Sequence, residues 1–103
     1  MNAAAKSPES CETMIEVRAG VDATDRALMD LLATRFGYMR AAARIKPTRE
    51  AVRDEERKRA VIDAAVEDGA AKGVPAELVA RMWDMLVEAS IAYETEEWDA
   101  IRA

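Results

Sequence analysis

The sequence predicts an all-α domain of three helices with a long first one, and three observations predict it. Hydrophobic residues make up 50% of the chain and charged ones 34%, with only 4 Gly and 3 Pro. The strong helix formers Ala, Leu, Met, Glu and Arg abound, whereas β-branched and aromatic residues are sparse. Apolar or small residues recur at Met14, Val17, Val21, Thr24, Leu28, Leu31, Tyr38, Ala42 and Ile45, the alternating three and four spacing of a helix seam. Finally, Pro47, Gly73 and Pro75 divide the remaining chain into segments of helical length.

Residues 1–10 are small and polar and contain Pro8, which predicts a flexible leader ahead of a single domain over 11–103. The first helix is predicted to start at Glu12 or Thr13, with Glu12 and Glu16 placed to suit the helix dipole. Gly20 and Gly37 weaken it locally, yet the apolar period continues through both. Pro47 disfavours helical geometry at the residue before it, so this helix ends close to Lys46. A loop over 47–53 leads into a second helix from about Asp54 to Ala71, with Val61, Ile62, Ala65 and Val66 as its apolar stripe and Gly73 as its stop signal. Pro75 is placed to open a third helix, whose buried stripe is Leu78, Val79, Met82, Trp83, Leu86, Val87 and Ile91, with Trp98 and Ile101 as a last packing turn.

A first helix of about 33 residues is roughly 50 Å long, whereas a compact globule of 100 residues has a radius of gyration near 13 Å. Two shorter helices do not cover such a rod, and at 103 residues a second copy of the chain is the natural cover.

Composition also excludes several chemistries. Histidine is absent and Cys11 is the only cysteine, so one chain has no disulfide, no Cys/His zinc site and no histidine-based triad. Nothing near Cys11 would activate its thiol, so it is read as a packing residue. The net charge of -5 argues against general nucleic-acid binding. No apolar run approaches a membrane span, the first residues lack a signal-peptide core, and a reducing cytoplasm is the expected location.

Charge within the seam points to a ligand. Arg35 stands where the first helix calls for an apolar residue, and a buried guanidinium is costly unless an anion answers it. On a straight helix Lys46 lies about 20° around and about 16 Å along from Arg35, on nearly the same face. Arg18 is about 25 Å from Arg35 and about 100° away, too far to share a small ligand within one chain. In the third helix Ser90 and Glu94 continue the apolar side at i, i+4, which turns a hydroxyl and a carboxyl inward. On the residues alone the commoner outcome for Glu94 is a helix-edge carboxylate that turns to solvent.

The pattern Val17-Arg18-x-x-Val21-Asp22-x-x-Asp25-x-x-Leu28-x-x-Leu31-Leu32-x-x-Arg35, followed by Lys46, resembles the first helix of the all-α chorismate mutases and of their relatives, the isochorismate-pyruvate lyases. Val52-Arg53-Asp54-x-x-Arg57 is similar to the start of that family's second helix, and Ser90 and Glu94 match its third. The resemblance covers the chain from about Cys11 to Trp98. It implies an intertwined homodimer of three-helix subunits, in which each pocket takes Arg18 from the other subunit. It also implies a dicarboxylate substrate, with Arg18 and Arg35 on carboxylates, Lys46 and Glu94 at the ether oxygen, and Asp54, Arg57 and Ser90 around the ring substituents. Glu94 donates a hydrogen bond there only when protonated.

The implied reaction is the rearrangement of chorismate to prephenate, which uses no nucleophile, metal or cofactor. One departure bears on it. The residue after Arg57 is Lys58, where many of the mutases carry a Glu that contacts the ring hydroxyl and the lyases do not. Lys58, the free-standing chain and the short leader lean towards the lyases, whereas Ser90 and Val52-Arg53-Asp54 lean towards the mutases, which are placed first. A non-catalytic helical dimerisation module, with Arg35 and Glu94 in a buried ion pair, is the alternative of another class.

Overall fold

A computed structural model of the chain describes residues 5–103. The first four residues of the predicted leader lie outside that range. The three predicted helices are present as α1 (Met14–Ile45), α2 (Glu55–Ala71) and α3 (Ala76–Ile101). Short 3₁₀ turns precede α1 at Pro8–Ser10 and connect α1 to α2 at Arg49–Val52. Two compact units divide between Phe36 and Gly37, within α1. Among the described residues no helix is long and apolar enough to cross a membrane.

In the N-terminal unit the described part of the leader is tied to the start of α1. Thr13 and Glu16 form a reciprocal cap: the Glu16 N–H donates to Thr13 Oγ1 at 3.2 Å and the Thr13 N–H donates to Glu16 Oε1 at 3.1 Å. The Glu12 N–H donates to the same carboxylate at 2.8 Å, and Lys6 forms an ion pair with it. Lys6 and these amides hold the Glu16 carboxyl below its ordinary range. The helix therefore begins just after Thr13, where both the dipole and the cap place it.

Much of the α1 seam is uncovered within one chain. Val17, Val21, Leu28, Leu31, Tyr38 and Ile45 are all exposed, Ile45 by 77%. Periodicity assigns these positions to one face, but periodicity alone does not say what lies against a face.

In the C-terminal unit the element boundaries follow from local chemistry. The Lys46 N–H makes the last helical bond of α1, to the Ala42 carbonyl at 2.9 Å, and Pro47 has no N–H with which to continue. The expected loop over 47–53 is more regular than its sequence suggested, because Thr48 Oγ1 accepts from the Ala51 N–H at 3.3 Å and caps a 3₁₀ turn. Asp54 caps α2 by accepting the Arg57 N–H at 3.0 Å. At the other end Gly73 takes φ 77°, and the Val74 N–H reaches the Gly69 carbonyl at 2.8 Å while the Gly73 N–H reaches Ala70 at 3.2 Å. This paired closure turns α2 sharply back. Pro75 lies just before α3 as its N-cap residue rather than within its first turn.

α3 packs against α2 and against the 3₁₀ turn at Arg49–Val52. A Cβ built on Gly69 would stand 3.0 Å from Val79 Cγ2, so the missing side chain lets the two helices approach. Ala43, Val52, Val79 and Val87 form the buried apolar core, while the α2 stripe of Val61, Ile62, Ala65 and Val66 is half-buried. Leu78 and Met82, predicted as core, are about half exposed. Among the described residues of the C-terminal unit no element covers these two side chains more fully.

Candidate functional site

The site in the C-terminal unit is built where the end of α1 meets the second half of α3. Helical spacing put Ser90 and Glu94 on one face, and both are buried, at 3% and 4% exposure. Ser90 Oγ donates to the Leu86 carbonyl at 2.7 Å, one turn back along its own helix. Glu94 does not turn to solvent. Its Oε2 lies 2.6 Å from Lys46 Nζ, with the two side chains 5% and 30% exposed respectively.

This contact has a particular geometry. By distance it is an ion pair, yet Glu94 Oε2 is a buried oxygen without a well-directed hydrogen bond among the described residues. The ammonium sits close to the oxygen but off the line of a good bond, so the oxygen keeps capacity for another donor. Lys46 Nζ also donates to the Val52 carbonyl at 3.4 Å. An ammonium has three donors, and with the Lys46 side chain 30% exposed at least one remains for a ligand.

A second cluster joins the start of α2 to α3. Glu88 accepts from Arg53 at 2.8 and 3.1 Å and from Lys58 Nζ at 2.7 Å. Lys58 also pairs with Asp84 at 3.1 Å, and Arg53 with Glu55 at 2.8 Å. The Arg53 guanidinium, then the Lys58 ammonium, hold the Glu88 carboxyl down at about 2. Glu88, then Asp84, raise the affinity of Lys58 for its proton. Spacing carried no signal for this cluster, since Lys58 and Arg53 stand 30 and 35 residues from Glu88.

The remaining predicted residues are placed as follows. Asp54 and Arg57 are exposed at the first turn of α2, joined through the Asp54 cap. Arg18 is exposed and Arg35 half-buried on α1, both in the N-terminal unit. They stand 17 residues apart on one helix, which separates them by about 25 Å.

A cationic helix end held against a buried carboxylate, without histidine and with a lone cysteine, fits few chemistries. Comparison with known proteins names the family. Residues 17–95 match the model of chorismate mutase type II. The chain belongs to that family. The matched span contains Arg18, Arg35, Lys46, Asp54, Arg57, Ser90 and Glu94. A relative in Pseudomonas aeruginosa, named isochorismate pyruvate lyase, is 26% identical over 97 residues, covering 94% of this chain and 96% of that protein. The family's helical fold and its enzymatic character are therefore this chain's own.

Proposed function

We propose that the protein is a chorismate mutase, rearranging chorismate to prephenate in a cationic pocket without a cofactor. The observation that carries this reading is the Lys46–Glu94 pair, an ammonium fixed at 2.6 Å from a buried carboxylate inside the span that matches the family. In the rearrangement the ether C–O bond breaks while a C–C bond forms, and negative charge grows on the ether oxygen. Lys46 stabilises that charge with its remaining donor, and the pair with Glu94 aims it before the substrate arrives. Arg18 and Arg35 hold carboxylates and keep the substrate folded in its reactive conformer, while Asp54, Arg57 and Ser90 face the ring substituents.

Arg18 comes from a second copy in this reading. The exposed apolar residues of α1, among them Val17, Val21, Leu28 and Leu31, support a paired dimer, since an extended apolar face is normally covered by a partner.

A second reading is isochorismate-pyruvate lyase activity, releasing pyruvate to leave salicylate. It is favoured by the Pseudomonas aeruginosa relative, which matches almost end to end, and by Lys58, whose charge is engaged by Glu88 and Asp84. Purified protein assayed with chorismate and isochorismate side by side decides between the two. Prephenate from chorismate supports the first, and pyruvate with salicylate from isochorismate supports the second. Neither product, together with no thermal stabilisation by millimolar prephenate or salicylate, returns the chain to a non-catalytic helical module. Glu94→Gln identifies the part played by residue 94: an amide donates at every pH, so activity gained on the alkaline side marks Glu94 as a donor to the ether oxygen.

A further inference from the structure

Pro47 leaves a defect at the end of α1 that α3 repairs. In a continuing helix the Ala43 carbonyl would accept the N–H of residue 47, and proline has none. Ala43 is fully buried, at 0% exposure, so water is not at hand to replace that donor, and an unmet buried carbonyl is destabilising. Arg102, 59 residues further along the chain, supplies it: Nη1 donates to the Ala43 carbonyl at 3.0 Å.

The same guanidinium serves the next carbonyls. Its Nη2 donates to Lys46 O at 3.1 Å and reaches Arg44 O at 3.5 Å. Trp98 Nε1 donates to Lys46 O as well, at 3.0 Å. The guanidinium stacks on the Trp98 ring, 4.2 Å from its centre, which fixes the fork that the carbonyls require. A cation here also meets the negative end of the α1 dipole. Both donors thus converge on the backbone of the residue whose side chain faces Glu94.

We propose that Trp98 and Arg102 are positioning residues, which latch the C-terminal end of α1 and so hold the Lys46 ammonium against Glu94 and towards the bound dianion. Lys46 has four rotatable side-chain bonds and follows a helix end that would otherwise fray. Fixing its carbonyl from two directions fixes the point from which the side chain starts. Glu94 and Trp98 lie one turn apart on α3 and Arg102 is its C-cap residue, so the last turns of that helix and its cap set both the backbone and the ammonium of Lys46. The catalytic part of this proposal rests on the function proposed above, whereas the latch itself does not.

The test combines Trp98→Phe, which keeps the ring and deletes the N–H, with Arg102→Ala and Arg102→Lys. Each is made in the wild type and in a Lys46→Met background, and assayed with chorismate and isochorismate. Amide hydrogen exchange is followed at Lys46 and Ala51. Exchange is expected to accelerate at these two amides in Trp98→Phe and Arg102→Ala while Val79 stays protected. In the wild-type background kcat/KM falls about 10-fold to 10²-fold, the loss that a small misplacement of a catalytic group causes. In the Lys46→Met background the same substitutions cause no further loss, because they act through Lys46. Arg102→Lys rescues little, since an ammonium lacks the planar fork. Unchanged exchange at Lys46, or an undiminished loss in the Lys46→Met background, overturns the proposal. If the wild type turns over neither substrate, the proposed function fails by itself, and exchange at Lys46 still decides whether the latch exists.

Discussion

Removing either partner of the Lys46–Glu94 pair removes the same contact, yet the two substitutions should differ in their effect on stability. At 2.6 Å the gross attraction is about 6 kcal/mol with an effective dielectric of about 20, most of it offset by the desolvation of both groups. What remains depends on what is left behind. In Lys46→Met the apolar stem is kept and Glu94, whose side chain is 5% exposed, is stranded as a buried charge. Breaking buried pairs in this way costs about 3–5 kcal/mol, whereas exposed pairs are worth about 0–1. Because the Lys46 side chain is 30% exposed, water enters part of the vacated space, and a loss of about 2–3 kcal/mol follows. In Glu94→Gln the survivor is an ammonium that already reaches water and keeps an amide oxygen beside it, so the loss is about 1 kcal/mol or less. For a domain of this size these correspond to roughly 10–20 °C and about 6 °C in Tm. Urea denaturation at neutral pH and fixed protein concentration measures both, provided that the slope is unchanged. The double variant should recover part of the Lys46→Met loss, since no charge is then stranded. Equal losses, or a larger one in Glu94→Gln, would show that Glu94 is hydrated in solution and would refute the burial on which the asymmetry rests.

Glu88 carries the clearest pH signature. Its folded pKa of about 2 lies below the ordinary 4.5, so its stabilisation is full above about 4.5 and is lost as pH falls towards 2. The Tm gap between wild type and Glu88→Gln should therefore close over that window, and a constant gap would count against the cluster. Gly73→Ala forces a Cβ into the φ 77° conformation and should lower stability by about 1–2 kcal/mol in urea titrations. A neutral result would mean that the turn after α2 relaxes to another shape. Mixing inactive Arg18→Ala with inactive Arg35→Ala chains should restore activity, because one pocket of each mixed dimer then has both arginines. No recovery despite subunit exchange would place both arginines in the same chain's pocket.

Local rules made the helices legible. Pro47 ended α1, Gly73 closed α2 and Pro75 preceded α3, because each acts through its own backbone geometry and needs no partner. The inward turn of Ser90 followed in the same way from helical spacing, whereas spacing alone left Glu94 more readily a carboxylate turned to solvent. Leu78 and Met82 were misjudged for the complementary reason: spacing gives a face, and whether the face is covered depends on another chain or element. The grip of Arg102 on Ala43 O and of Trp98 on Lys46 O was equally invisible. Their donors and acceptors are 59 and 52 residues apart, and Trp98 announced only its apolar ring. The family pattern did reach across such separations, joining Lys46 to Glu94 before any distance was known.

Lys58 is the position at which the family resemblance divides the two proposed reactions. Many mutases carry a Glu at this position for the ring hydroxyl, whereas here an ammonium lies 2.7 Å from Glu88 and 3.1 Å from Asp84. An acid cannot simply replace it. Lys58→Glu would set a third carboxylate beside Glu88 and Asp84, with Arg53 as the remaining cation of the cluster, and like charges at such distances repel. The single substitution should lower Tm, and adding Glu88→Gln should return part of the loss, a coupling that independent sites would lack. The double variant is then the fair test of specificity, since its fold is relieved while its acid is present. If an acid at position 58 favours rearrangement by meeting the ring hydroxyl, the ratio of prephenate formed from chorismate to pyruvate released from isochorismate should rise about 10-fold or more, the discrimination that a site gains by bonding a substrate hydroxyl. An unchanged ratio in a double variant with restored Tm would mean that residue 58 faces α3 alone. The preference between the two reactions would then have to be set by the residues around Lys46 and Glu94.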